Sequence, residues 1–151
     1  MYSTGTKKQI FEACRQNLLD SIRILEDEMK MLKESASDDS AIGMSDRLES
    51  NDEEMMNDRK DREKRRTQLY QELSLLDSLN TGSLVKKVEP GAVVITNQRN
   101  LLIAIARMFK SAEYDFTGIS AAAPIYAVIE GKKAGDKYSF NGQDFMITEV
   151  Y

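Results

Sequence analysis

Between residues 7 and 35 the chain carries neither proline nor glycine, and its apolar residues fall at Phe11, Cys14, Leu18, Ile22, Leu25, Met29 and Leu32. Steps of three and four place them on one stripe of an α-helix. Residues 46–79 again lack proline and glycine, and Leu48, Met55 or Met56, Leu69, Leu73, Leu76 and Leu79 mark their stripe. The middle of that second stretch, residues 57–68 (NDRKDREKRRTQ), has no apolar residue. A lone helix of this kind is marginal in water, so it needs the first to lie against. Two such stretches with a short break between them predict an antiparallel coiled-coil hairpin. If the hairpin is centred near residues 40–41, position i faces roughly position 81 − i. Leu25 then meets Met56, Phe11 meets Tyr70, and Leu18 faces residues 62–66. Arginine and lysine stems there cover Leu18 and Ile22 with methylenes while their charged heads stay wet. About 28 residues of helix at about 1.5 Å each predict a reach of roughly 40 Å.

The break, residues 35–45, is rich in serine and aspartate and contains Gly43. Ser45 or Asp46 is the candidate N-cap of the second helix, because a short oxygen side chain accepts from the free N–H groups of the first turn. Residues 34–54 hold eight carboxylates (Glu34, Asp38, Asp39, Asp46, Glu49, Asp52, Glu53, Glu54) against one cation, Arg47, a local charge of −7.

Asn80-Thr81-Gly82-Ser83 reads as a linker, with glycine just past a helix end. Beyond it the apolar period changes from 3.6 to 2. Residues 92–96 and 101–106 read as strands joined by a polar turn at 97–100, and 114–119 as a third strand. Residues 124–129 read as one or two helical turns with proline at an early position. Residues 136–140 and 145–150 flank Asn141-Gly142, a hairpin turn signal. The prediction is α+β: a helical hairpin over residues 1–80, with its acidic end at about 35–54, then a mostly antiparallel β domain with one short helix over 81–151. The expected core of that domain is Val94, Ile95, Leu102, Ile103, Ile105, Phe116, Ile125, Val128, Phe140, Phe145 and Ile147.

Charge divides the same way. Residues 1–80 carry 13 Lys+Arg against 18 Asp+Glu, and residues 81–151 carry 8 against 7. The net charge of −4 argues against free nucleic acid as a partner. The absence of histidine removes Ser-His and Cys-His nucleophile pairs and histidine-based zinc sites. One cysteine, Cys14, suits a reducing compartment. With no apolar run of membrane length, the expectation is a soluble, cytoplasmic protein with no membrane partner.

Asp46 and Glu49 are three apart and share a face of a helix. Two carboxylates can hold a hard divalent ion but cannot complete its shell, so a Mg²⁺ bound there keeps waters or borrows ligands from a partner. Acids also gather at helix N-termini because the dipole favours them, and the residues alone leave both readings open. The basic run 59–66 reads first as a solvated helix face, with nucleic acid or an acidic wall as the other reading.

The run Ile119-Ser120-Ala121-Ala122-Ala123-Pro124-Ile125-Tyr126-Ala127-Val128-Ile129-Glu130-Gly131-Lys132-Lys133-Ala134-Gly135-Asp136 resembles a segment of the bacterial Gre-type transcript cleavage factors (GreA/GreB), roughly I-S-x-x-S-P-I-x-x-A-L-x-G-K-x-x-G-D. Residues 145–151 resemble that family's closing hairpin. Asp46-Arg47-Leu48-Glu49 is similar to its D-x-x-E at the start of the second helix. The chain departs from the family at Ser45, where the family has glycine, at Ser50-Asn51-Asp52-Glu53, where it has Asn-Ala-Glu-Tyr, and at Ala123, where it has serine.

The resemblance implies an FKBP-like C-terminal domain that docks at the rim of the secondary channel of RNA polymerase, with Ser120, Pro124 and Ile125 as contacts. It implies a coiled coil that carries Asp46 and Glu49 to the active centre, where they help hold a Mg²⁺ shared with the polymerase. Asp38 and Asp39 are the runners-up. The implied role is that of an accessory factor, not itself an enzyme, that stimulates hydrolytic cleavage of backtracked RNA. It touches the RNA 3′ end indirectly and meets DNA only through the polymerase. The alternatives are a secondary-channel regulator without cleavage activity and a coiled-coil adaptor unrelated to transcription.

Overall fold

A computed structural model describes residues 4–40 and 45–151; the side chains of 35–53 and of Met55 lie outside the described residues. The element order is α1 (Thr4–Ser40), α2 (Ser45–Ser78), β1 (Val93–Thr96), β2 (Asn100–Ala104), β3 (Met108–Ser111), β4 (Tyr114–Ser120), α3 (Pro124–Ile129), β5 (Lys137–Phe140) and β6 (Gln143–Val150). The chain divides into two compact units, Leu18–Leu73 and the remainder, which joins the N-terminal segment to Ser74–Tyr151.

In the Leu18–Leu73 unit α1 and α2 run antiparallel. The Tyr70 hydroxyl donates to Glu26 Oε1 at 2.6 Å, and Arg62 Nε lies 3.6 Å from Glu28 Oε2. Leu18, Ile22, Leu25 and Leu69 are buried. The register differs from the expected one: Tyr70 meets Glu26, not Phe11, and Met56, the expected partner of Leu25, is 58% exposed. α1 continues to Ser40 instead of breaking at 35, so the turn lies later in the chain than expected, which shifts the facing positions in the observed direction. Residues 41–44 of the expected turn lie outside the described residues. Through the stretch without apolar residues, Arg59, Arg62 and Arg66 are half-buried, three and four apart, in the positions leucines would take. Their stems supply the apolar stripe there.

In the other unit, six strands lie in the order β3-β4-β2-β1-β6-β5. Four of the neighbouring pairs are antiparallel as expected; β2 and β4 are parallel, with Leu102 opposite Gly118 and Ile103 opposite Ile119. The parallel pair follows from β3, a strand not expected from the sequence, which fills the crossover. The Asn141-Gly142 turn forms as expected, both residues at positive φ (53° and 76°) between β5 and β6. One core joins Val88, Val94, Leu101, Ile103, Ile119, Tyr126, Ile129, Tyr138, Phe145 and Ile147. Val93, Leu102, Phe109 and Phe116 are buried as well, the two phenylalanine rings stacked 5.5 Å apart. Val128 is a correction: it is 38% exposed, because in a helix this short the inward positions are Tyr126 and Ile129, three apart.

The start of α1 belongs to this unit. Lys7 Nζ donates to the Ser83 carbonyl at 2.9 Å, Arg15 Nε pairs with Asp77 Oδ1 at 3.0 Å, and an Arg107 guanidinium nitrogen donates to Asn17 Oδ1 at 2.8 Å. The segment after α2 bonds to the turn after α3. Val88 N–H donates to the Lys132 carbonyl and Gly131 N–H to the Val88 carbonyl, both at 2.9 Å, and Lys87 and Lys133 form an antiparallel β-bridge.

Candidate functional site

Two stretches carry the expected chemistry. The first is the acidic segment. α2 begins at Ser45, so Asp46 and Glu49 take backbone positions in its first two turns, spaced i and i+3. Asp38 and Asp39 lie in the last turn of α1. The side chains of all four are outside the described residues, while Glu34 and Glu54 at its two ends are exposed. Among the described residues, no three histidine, cysteine, aspartate or glutamate side chains are grouped to hold a metal.

The second stretch is the corner between β4 and α3, which the structure describes fully. β4 ends at Ser120, whose Oγ accepts from Ala122 N–H at 3.1 Å and whose carbonyl accepts from Ala123 N–H at 3.0 Å. Ala123 is extended (φ −73°, ψ 145°), as a residue before proline must be, and Pro124 opens α3. Pro124 costs the helix nothing, since the first helical N–H groups have no partner in any case. The helix stops at Glu130, and Gly131 turns the chain at φ 77°. Tyr126 and Ile129 point into the core, Ile125 is half-buried against it, and Pro124, Ala121, Ala122 and Val128 are exposed. Ser120 and Ile125 are thus half-buried on either side of the corner and Pro124 is exposed at the start of α3. The hydroxyl of Tyr126 is no proton shuttle near neutrality. Burial, and then the Glu130 and Glu89 carboxylates, raise its pKa above the ordinary value of 10.0.

Two open clefts lie on either side of Asn97. One, of about 710 Å³, is lined by Thr96, Gln98, Arg99, Asn100, Met108 and Asp115; the other, of about 670 Å³, by Lys137, Tyr138, Ser139, Asp144, Phe145 and Met146. Asn97 is held between them by two bonds to the Met146 backbone, its N–H to the carbonyl and its Oδ1 from the N–H, both at 3.0 Å. Tyr138 stacks on Phe145 at 5.0 Å, and the Arg99 guanidinium sits 5.8 Å from the Phe145 ring centre. In the second cleft the Ser139 hydroxyl donates to the Asp144 carboxylate.

Sequence reasoning did not single out the lysines. Lys86-Lys87 and Lys132-Lys133 are far apart in the chain and meet at the β-bridge. The signal was present as two Lys-Lys pairs, but nothing in the pattern said that they would be neighbours.

No protein-family model and no curated protein matches the chain. Among solved structures, it is similar to that of the transcription factor Gfh1, with a TM-score of 0.39 and 16% identity, covering 92% of this chain and 94% of that one.

Proposed function

We propose that this protein is a Gre-like transcription elongation factor. It binds RNA polymerase through its C-terminal domain and inserts the acidic end of its helical pair into the secondary channel, where it stimulates hydrolysis of backtracked RNA. One observation carries the reading. A single chain joins two long paired helices, with a charge of −7 around their connection, to a sheet domain in which the Ser120–Ile125 run forms a corner with Ala121, Ala122 and Pro124 exposed.

Each stretch has its task. Ser120, Pro124 and Ile125 dock on the polymerase, where a small rigid corner loses little entropy on binding. Asp46 and Glu49 supply carboxylate oxygens at the polymerase centre, with Asp38 and Asp39 as the next candidates. A helix start with two acids at i and i+3 fits a Mg²⁺ that the polymerase also ligates, because two carboxylates leave most of its shell to others. Such an ion lowers the pKa of a bound water and stabilises charge in an in-line displacement. The protein is then an accessory to the polymerase's own hydrolysis rather than an enzyme in its own right.

The test adds the protein to a stalled elongation complex with Mg²⁺. Release of short 3′ RNA fragments, lost in Asp46→Ala and Glu49→Ala, supports the reading; no release, or release indifferent to both substitutions, overturns it. The departures at Ser45 and at residues 50–53 favour a second reading, a channel-binding regulator without cleavage. Inhibition of promoter-dependent synthesis with no RNA trimming selects that one.

A further inference from the structure

Lys87 and Lys133 sit directly opposite each other in an antiparallel bridge. Directly opposed residues project to the same side, with Cβ atoms about 5 Å apart, and like charges so placed repel. The backbones that carry the pair are held together. Val88 N–H to the Lys132 carbonyl and Gly131 N–H to the Val88 carbonyl, both 2.9 Å, tie the two segments together on the adjoining residues. Lys86 and Lys132 flank the pair, and Lys86, Lys87 and Lys133 are exposed. The acids of the neighbourhood are Glu89, Glu130 and Asp136, and none of them forms an ion pair with these lysines among the described residues. Asp136 Oδ2 accepts from the Lys133 backbone N–H at 2.8 Å. The fold thus assembles like charge from two distant segments and holds it at the surface.

We propose that Lys87 and Lys133, with Lys86 and Lys132 at their edges, form a platform for the phosphate backbone of double-stranded nucleic acid. A duplex is the polyanion that best relieves such repulsion, because its charges lie about 1.7 Å apart along the axis. The cations are all lysines, point charges on flexible stems that follow phosphates without fixed geometry. The neighbouring aromatics Tyr126 and Tyr138 are buried and offer no ring for stacking unpaired bases. The contact is therefore with backbone, independent of sequence and sensitive to salt. It goes beyond the polymerase reading and does not depend on it.

The experiment is fluorescence anisotropy of the full-length protein with a mixed-sequence DNA duplex over a salt series. Each phosphate neutralised contributes about −0.9 to the slope of log K against log salt. Lys87→Gln/Lys133→Gln is expected to flatten that slope by about 1.8 and to weaken binding at low salt roughly ten-fold. Lys86→Gln, at an exposed site, flattens it by about 0.9 and serves if the double variant does not fold. Lys64→Gln/Arg65→Gln, on α2, leaves it unchanged. No duplex binding at low salt overturns the proposal. So does binding unaffected by the platform variants, binding lost instead with the α2 variant, or a polyglutamate that displaces the duplex at equal charge concentration.

Discussion

The Tyr70 hydroxyl donates to Glu26 Oε1 at 2.6 Å, and this bond, between side chains 44 residues apart, records the register of the helical pair. The bond to Glu26, then burial and the Glu26 charge, raise the Tyr70 pKa above 10.0, with Arg66 opposing. A group whose folded pKa is raised stabilises the fold below its unfolded value and loses that contribution as pH rises through the folded value. The expected outcome is a Tyr70 phenolate that titrates later in the wild type than in Glu26→Gln, read by ultraviolet difference absorbance above pH 10. Coincident titrations would show that the bond does not form in solution.

Lys7 works in the opposite sense. It is 1% exposed with its Nζ on the Ser83 carbonyl, and burial lowers its pKa below 10.5 against the pull of Glu89. The folded state therefore releases this proton at lower pH than the unfolded chain. Between the two values the unfolded chain binds more protons, so this group's contribution to stability rises with pH. Lys7→Met removes the contribution. Urea unfolding at a series of pH values should show the wild type gaining on the variant as pH approaches 10.5, and a constant difference would count against it.

Gly118 and Arg107 exchange two backbone bonds, 2.6 Å from the Gly118 N–H and 3.3 Å from the Arg107 N–H. A Cβ on Gly118 would run into the Ile105 carbonyl and come within 2.8 Å of the Arg107 carbonyl. Neither backbone atom can give way without opening the sheet. Gly118→Ala should cost about 2 kcal/mol or more, measured by urea denaturation.

Pro124 and Ile129 separate docking from folding. Ile129 is 0% exposed, and Ile129→Ala should cost about 2–5 kcal/mol. Pro124 is exposed, and Pro124→Ala should change stability by less than about 0.5 kcal/mol. If the corner docks on RNA polymerase, Pro124→Ala weakens capture of the polymerase by the folded protein; equal capture by the two would remove Pro124 from the contact.

Local rules located most of these elements. α3 lies at Pro124–Ile129 as its proline and following glycine imply, and Asn141-Gly142 turns where that pair should. β3 was not legible, because Met108-Phe109-Lys110-Ser111 has one buried hydrophobic in four residues and resembles a loop. At the proposed catalytic end, the spacing of Asp46 and Glu49 was legible, whereas the orientation of their side chains lies outside the described residues. The lysine platform was not legible, since a bridge between residues 87 and 133 leaves no trace in either segment.

Period, breakers and caps act over a few residues, so the chain by itself determined that two long helices precede a small sheet and where its short helix and last turn fall. Tertiary structure decided which residues face one another. Tyr70 opposite Glu26, β2 parallel to β4, and Lys87 beside Lys133 depend on where helices stop and on which strands pair. Those outcomes are set by burial and hydrogen bonding summed over many residues, and no single stretch of sequence contains them.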